Sequence, residues 1–253
     1  MQDRYVGDVG DFAKYALLRK LSSFDATEKI KLGVLWCRYN DESHNLDGKH
    51  TSYLRSSLFR DLDPELFDAL NSIVSTNSRS LKSVMDSNIF HPGTKFFSAP
   101  ISPPASLRLS RSERLAHRQK WLEQSLKLTI DCNLIFFDPD NGIEVASIGK
   151  DHPKAGKYVF WDEMSRHWER GKSLVIYHHL NRTMSAAKQI GAMKERMLRE
   201  FSGSSIRSLL FRRGSCRVFW LISRSSFMNG ALQSRADHFR SGGWEGHFSI
   251  DHI

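Results

Sequence analysis

Asn133-Leu134-Ile135-Phe136-Phe137-Asp138-Pro139-Asp140-Asn141-Gly142-Ile143-Glu144 is the stretch from which the fold can be read. Leu134 to Phe137 is a continuous apolar run, the pattern of a strand buried on both faces of a parallel sheet. Pro139 cannot continue a ladder, and Asn141-Gly142 is turn chemistry. Three carboxylates, Asp138, Asp140 and Glu144, therefore arrive at or just beyond a strand's carboxyl end. In open α/β sheets ligands bind there. Asp and Asn are also ordinary turn residues. Three acids around one buried strand end nevertheless repel one another unless a cation or a proton joins them.

The neighbours of this stretch alternate between helix and strand. Upstream, Arg111 to Leu128 carries Leu115, Trp121, Leu122 and Leu126 near helical spacing and feeds directly into the strand. Downstream, Asp162 is placed to cap a helix from Glu163 to Arg170, and Ser173 to Tyr177 forms another buried strand ending in His178-His179. Adjacent histidines on an extended segment point to opposite sides, so at most one faces the same cleft as Asp138. Arg182 to Phe201 reads as a long basic helix. Ser205 to Phe211 and Cys216 to Ser223 read as an antiparallel hairpin turned at Arg212-Arg213-Gly214-Ser215, before a last helix from Gly230 to Arg240.

Toward the amino terminus, Lys31 to Cys37 (KLGVLWC) reads as the first buried strand. It runs into a long polar loop whose Asn40, Asp41, Glu42, Asp47 and His50 could hold a ligand or metal, without a fixed metal spacing. Before it, Asp8 or Asp11 can cap a helix bearing Phe12, Tyr15, Ala16 and Leu18, with Asp11 and Lys14 as polar groups on an aromatic face. Thr51 to about Asp86 reads as helices broken at Asp61-Leu62-Asp63-Pro64, and Lys95-Phe96-Phe97 as a short strand. No linker divides the chain. The expectation is one α/β domain over residues 1–253, a mostly parallel sheet with a C-terminal antiparallel hairpin and a helical insertion at about 51–130.

The chain has 253 residues, 40% hydrophobic and 26% charged, ordinary for a soluble globular protein. No apolar run approaches membrane-spanning length, and the first residues lack the apolar core of a signal peptide. Cys37, Cys132 and Cys216 lie far apart without CxxC spacing, which points to a reducing, cytoplasmic setting rather than a disulfide framework or zinc ribbon. The formal net charge of +9 favours polyanionic partners, RNA or DNA. Much of the excess lies in the C-terminal half, including Lys188, Lys194, Arg196, Arg199, Arg212, Arg213 and Arg217.

A helix–strand alternation closing in an antiparallel hairpin resembles the class I, Rossmann-like, S-adenosylmethionine-dependent methyltransferase fold, a seven-stranded sheet with a reversed last strand. In amino-directed nucleic-acid methyltransferases the fourth strand ends in Asp/Asn-Pro-Pro-aromatic. Asp138-Pro139-Asp140-Asn141 looks like a variant of it. The chain also resembles, distantly, the bacterial ribosomal RNA adenine-N6 methyltransferases, whose amino-terminal Gly-Asn-x-Ala-Asp-x-x-Lys-His segment is similar to Gly7-Asp8-Val9-Gly10-Asp11-Phe12-Ala13-Lys14-Tyr15. Two positions depart from that pattern. Trp36-Cys37-Arg38-Tyr39-Asn40 has no glycine where the fold carries a glycine-rich cofactor turn. Asn141 replaces the aromatic that would stack on a flipped base, and Asp140 the second proline, leaving Tyr177, Phe160 or Trp161 to supply a stacking ring.

Three functional expectations follow. The resemblance implies amino-group methyl transfer from S-adenosylmethionine to nucleic acid, with Asp138, Asp140 and His178 as catalytic candidates and Trp36, Arg38, Asn40, Asp11 and Lys14 along the cofactor cleft. The acid cluster alone also suits a phosphodiesterase or nuclease, in which Asp138, Asp140 and Glu144, with Glu163 or a histidine, bind Mg²⁺ or Mn²⁺ and Lys157 faces the phosphate. The third is a non-catalytic nucleic-acid-binding or partner protein on the same fold.

Overall fold

The computed structural model describes residues 1–23, 30–42, 48–104, 107–213 and 215–250. Helix α1 (Val9–Leu21) precedes strand β1 (Leu32–Leu35). Helices α2 (Ser57–Arg60), α3 (Pro64–Ser75) and α4 (Leu81–Asp86) lead to β2 (Lys95–Phe97), and α5 (Arg111–Leu128) leads to β3 (Leu134–Phe137). A small ladder of β4 (Gly142–Ile143) and β5 (Tyr158–Val159) follows, then α6 (Trp161–Glu169), β6 (Ser173–His179) and α7 (Ala186–Glu200). The chain ends with β7 (Ser205–Arg213), β8 (Ser215–Ser223), α8 (Ser226–Asp237) and β9 (Phe248–Ile250).

Seven strands form one sheet in the order β2-β1-β3-β6-β8-β7-β9. The pairs β2·β1, β1·β3 and β3·β6 are parallel. Strand β8 is antiparallel to both β6 and β7, and β9 is antiparallel to β7. Five strands thus run one way and two the other, the mostly parallel α/β sheet with a C-terminal hairpin that the apolar runs imply.

Alternation along each strand divides the core in two. Val34, Phe136, Val175 and Phe219 face the side covered by α1, α3 and α8. Leu35, Ile135, Ile176 and Trp220 face the side covered by α5, α6 and α7. Both faces of the central strands are buried, which is why β3 reads as an unbroken apolar run. Helix α1 is itself almost wholly enclosed, with Phe12 stacked on Trp244 at 5.6 Å between ring centroids. Among the described residues no helix is long and apolar enough to cross a membrane.

The helix starts follow local chemistry. Asp8 caps α1 by accepting the Asp11 N–H at 2.9 Å. Asp63 caps α3, with Pro64 in its first turn. Ser110 and Glu113 form a reciprocal capping box on α5.

Within the span 51–130 the short strand expected at Lys95-Phe96-Phe97 is β2, which pairs with β1 at the sheet's edge (Val34 opposite Phe96). Several sequence expectations are corrected. Leu115 is exposed, although Trp121, Leu122 and Leu126 are buried as expected. Asp162 lies inside α6, and Glu163 accepts the Phe160 N–H at the helix start instead. The last helix begins at Ser226, not Gly230. Strand β9, three residues long, was not expected at all. Gly214 of the hairpin turn lies outside the described residues.

Phe136 is fully buried on the central strand and packs under α1. Phe136→Ala is expected to lower unfolding free energy by about 3–5 kcal/mol. Urea denaturation measures this, and a loss below about 1 kcal/mol would contradict the close packing described for that face.

Candidate active site

The carboxyl ends of β1, β3 and β6 lie side by side, and those of β3 and β6 line a cavity of about 400 Å³. Asp138 is the first residue past β3. Its N–H donates to the Leu35 carbonyl at 3.0 Å, so the ladder with β1 fixes the backbone beneath its carboxylate. The side chain is 2% exposed.

Helix α1 brings the counter-charge. Lys14 Nζ lies 2.8 Å from Asp138 Oδ2 and 2.7 Å from Asp11 Oδ1, one helical turn before it. Tyr15 donates its hydroxyl to Asp11 Oδ2 at 2.9 Å. Burial opposes the Lys14 charge, but Asp11 and Asp138 outweigh it and raise the lysine pKa. Burial also raises Asp11, from 3.8 to about 6, because Lys14 offsets the desolvation only in part and Asp8 adds a like charge. One ammonium thus serves two buried carboxylates, and the lining is rich in acid.

Strand β6 supplies the opposite wall. Tyr177 and His179, two residues apart, both line the cavity and share a 2.6 Å hydrogen bond between Tyr177 Oη and His179 Nε2. Burial, aided by Arg217, lowers the His179 pKa to about 3, so its imidazole is neutral. Arg217, paired in register with His179 across β6 and β8, is 5% exposed. Its guanidinium packs beside Gly10, where an added Cβ would overlap Nη1. That close approach accounts for glycine in the first turn of α1.

The structure sorts the sequence candidates. Asp138, Asp140, Asp11 and Lys14 line the cavity. His178 does not: it points to the other face of β6, where Nδ1 accepts the Ile143 N–H at 3.1 Å and burial lowers its pKa to about 4. His179 takes its place, as the alternation along β6 requires. Trp36 turns into the core and stacks on Phe96. Arg38 pairs with Asp3 at 3.0 Å, and Asn40 lines a separate surface cavity beside Ser102. The turn after β1 lacks glycine, yet Cys37 adopts a left-handed φ of 37°. Of the proposed stacking aromatics Tyr177 reaches the cavity, whereas Phe160 lies under Arg118 and Trp161 under Arg196.

The acids proposed for Mg²⁺ or Mn²⁺ are not assembled. Glu144 stands in a second cavity, 3.7 Å from Arg196. Asp140 accepts Gln2 Nε2 at 2.5 Å, and Glu163 is buried against Arg118 with a 2.9 Å bond. Lys157 pairs with Glu42 at 2.6 Å. Among the described residues no three His, Cys, Asp or Glu side chains converge as a metal site. Of the loop candidates His50 lines the main cavity, Asp41 accepts the Arg4 N–H, and Asp47 lies outside the described residues. Sequence reasoning missed Gln2, His179 and the specific role of Arg217. Only His179 carried a signal, its two-residue spacing from Tyr177.

Neither the family models nor the curated proteins give a match. Among solved structures, the chain is similar to the crystal structure of protein LPL1258 from Legionella pneumophila str. Philadelphia 1, described under family-model DUF519. The identity is 13%, 97% of this chain and 96% of that one are covered, and the TM-score is 0.46.

Asp11 provides a pH test. Its folded pKa of about 6 exceeds the ordinary 3.8, so between those values the folded chain binds more protons than the unfolded one. Its contribution is complete below the lower value and is lost as pH rises through the upper one. The stability of the wild type minus that of Asp11→Asn is therefore expected to fall from pH 4 to 6 and then level off. A difference that stays flat or rises in urea titrations across this range would contradict the assignment.

Proposed function

We propose that the protein transfers a methyl group from S-adenosylmethionine to an amino group of a nucleic acid. The observation that carries this reading is Asp138: a buried carboxylate at a parallel strand's end, paired with Lys14 through one oxygen, beside a cavity with an aromatic wall. The seven-stranded order with β8 reversed between β6 and β7 supports it as well.

The lining suits the donor in charge. S-adenosylmethionine carries a sulfonium and an ammonium, and Asp8, Asp11 and Asp140 give the cavity carboxylates for such cations. Asp11 and Lys14, at the start of α1, are the candidate donor-holding residues. When bound, the donor supplies an electrophilic methyl group.

The chain's own residues position the acceptor. Lys14 holds Asp138 Oδ2, which fixes the carboxylate and leaves Oδ1 to accept a hydrogen bond from an exocyclic amine. That bond orients the nitrogen lone pair, and orientation is most of what such a transfer requires. Tyr177 offers a ring for the acceptor base to stack on. Neutral His179, hydrogen-bonded to Tyr177, stands on the same wall as a proton acceptor once the amine has gained its fourth bond.

The phosphate contacts would come from the basic surface. Arg182 lines the cavity and is exposed, and α7 carries Lys188, Arg196 and Arg199 on its exposed side. With a net charge of +9, this gives a polyanion a path to the cavity mouth.

The direct test incubates the protein with labelled S-adenosylmethionine and with bulk RNA or DNA. Label is expected in one nucleic acid, and Asp138→Asn is expected to lower the rate about 100-fold or more. Absence of label in both, or full activity in the variant, would overturn the reading. Polynucleotide affinity should also fall steeply with salt, and Arg182→Ala should reduce the log–log slope by about 1. An unchanged slope would remove Arg182 from the phosphate path.

A further inference from the structure

Beyond the turn at Gly142 lies the second cavity, of about 490 Å³. Asn141 and His179 line both cavities and separate them. Main-chain bonds fix that wall. The His179 N–H donates to the Asn141 carbonyl at 3.1 Å, and the Asn141 N–H donates to the Lys157 carbonyl at 2.8 Å. A ligand that fills both chambers must therefore place one group on each side of the wall. A polymer with a ring on every unit does this.

The lining of the second chamber fits a flat ring. Tyr158, Val145, Leu180, Met184 and Met193 supply an aromatic ring, apolar surface and two adaptable thioethers. The Gln189 amide is engaged within the wall, where it donates to the Asn181 carbonyl at 3.0 Å and the Met184 carbonyl at 2.8 Å. Glu144 differs. Its side chain is 25% exposed, and Arg196 stands 3.7 Å away. Among the described residues its carboxylate accepts no hydrogen bond. Burial raises its pKa, and Arg196 offsets this only in part. A carboxylate so enclosed lacks the donors such a group ordinarily holds. His178 lines the same chamber. Its Nδ1 accepts the Ile143 N–H, so the neutral ring carries its proton on Nε2.

We propose that the second chamber holds a guanine next to the acceptor base, read by Glu144 and His178. This rests on the nucleic-acid reading of the main cavity. Among the nucleic-acid bases guanine presents two adjacent N–H donors, at N1 and N2, beside a carbonyl at O6. The two oxygens of Glu144 accept the donors, and His178 Nε2–H donates to O6. Adenine sets an unprotonated N1 against the carboxylate, and cytosine an unprotonated N3. Uracil and thymine have one N–H between two carbonyls. Reading this edge requires an unpaired base, so the strand is single at that position. Asn181 and Arg182, consecutive in the loop after β6, line the second and the main chamber respectively. The phosphate between the two nucleosides passes at Arg182.

The test measures fluorescence anisotropy of labelled single-stranded heptanucleotides with the full chain. Each is uracil, or thymine in the DNA arm, around a central adenine flanked on both sides by guanine or by hypoxanthine. Hypoxanthine keeps N1–H and O6 and lacks the N2 amine, so the exchange removes one donor to Glu144. In the RNA or the DNA arm the guanine strand is expected to bind about tenfold more tightly. Glu144→Gln, which turns an amide N–H toward the ring donors, is expected to bind both strands alike. The base exchange on the wild type needs no variant and decides the matter if Glu144→Gln does not fold. Equal affinities in the wild type in both arms, or a guanine preference that survives in Glu144→Gln, would overturn the guanine chamber, and methyl transfer to nucleic acid would then stand without it. A guanine preference lost in the variant, with no methyl transfer to any strand, would sustain the chamber and remove only the transfer reading. No binding of any heptanucleotide would overturn both.

Discussion

The Lys14–Asp138 ion pair joins the first helix to the central strand, and the site depends on it. Both partners are buried, so neither can be left without the other. Removing one member of a buried pair typically costs about 3–5 kcal/mol, because the remaining charge has no solvent. Lys14 reaches Asp138 because α1 packs on the sheet face that Phe136 lines. Aromatic packing holds it there: Phe12 meets Tyr53 at 5.2 Å, Phe67 at 6.4 Å and Trp244 at 5.6 Å. Residues more than two hundred positions apart therefore determine where one ammonium sits.

Charge is segregated in a way that composition conceals. The chain is basic overall, yet four carboxylates, Asp8, Asp11, Asp138 and Asp140, gather on the cavity lining. Of its cationic side chains, Lys14 and Arg217 are buried in the wall against carboxylates and aromatic rings, and Arg182 is exposed. The exposed excess of positive charge on α7 lies outside the cavity.

The fold was legible because its central strands are buried on both faces. Leu134–Phe137, Ser173–Tyr177 and the two hairpin strands read as apolar runs, and their neighbours carry capping residues at helix starts. Strand β9 was illegible because three residues, Phe-Ser-Ile, cannot show a period; it exists because the edge of β7 was open to pairing. In the site, Asp138 was legible from its place at a strand end, and Lys14 and Asp11 from their helical spacing. Gln2 was not, because nothing local distinguishes a glutamine that reaches Asp140 from one in solvent. Trp36 misled for a similar reason. Its position at a strand end suggested a ligand wall, but side-chain alternation turned it inward onto Phe96.

The separation of the three acids, which the sequence had grouped, comes from one backbone conformation. Gly142 has a φ of 113°, which other residues rarely adopt, and an added Cβ would overlap His178. This turn sends the chain into β4, where Ile143 is held by His178 and Glu144 by the Val159 carbonyl. Asp138 and Asp140, before the turn, stay in the main cavity, and Glu144, after it, enters the cavity shared with Arg196. Asn141 and His179 border both cavities and form the wall between them. The same glycine that made the stretch read as a turn thus divides its carboxylates between two chambers. A pair of acids, one held by Lys14 and one by Gln2, is a poor metal cage.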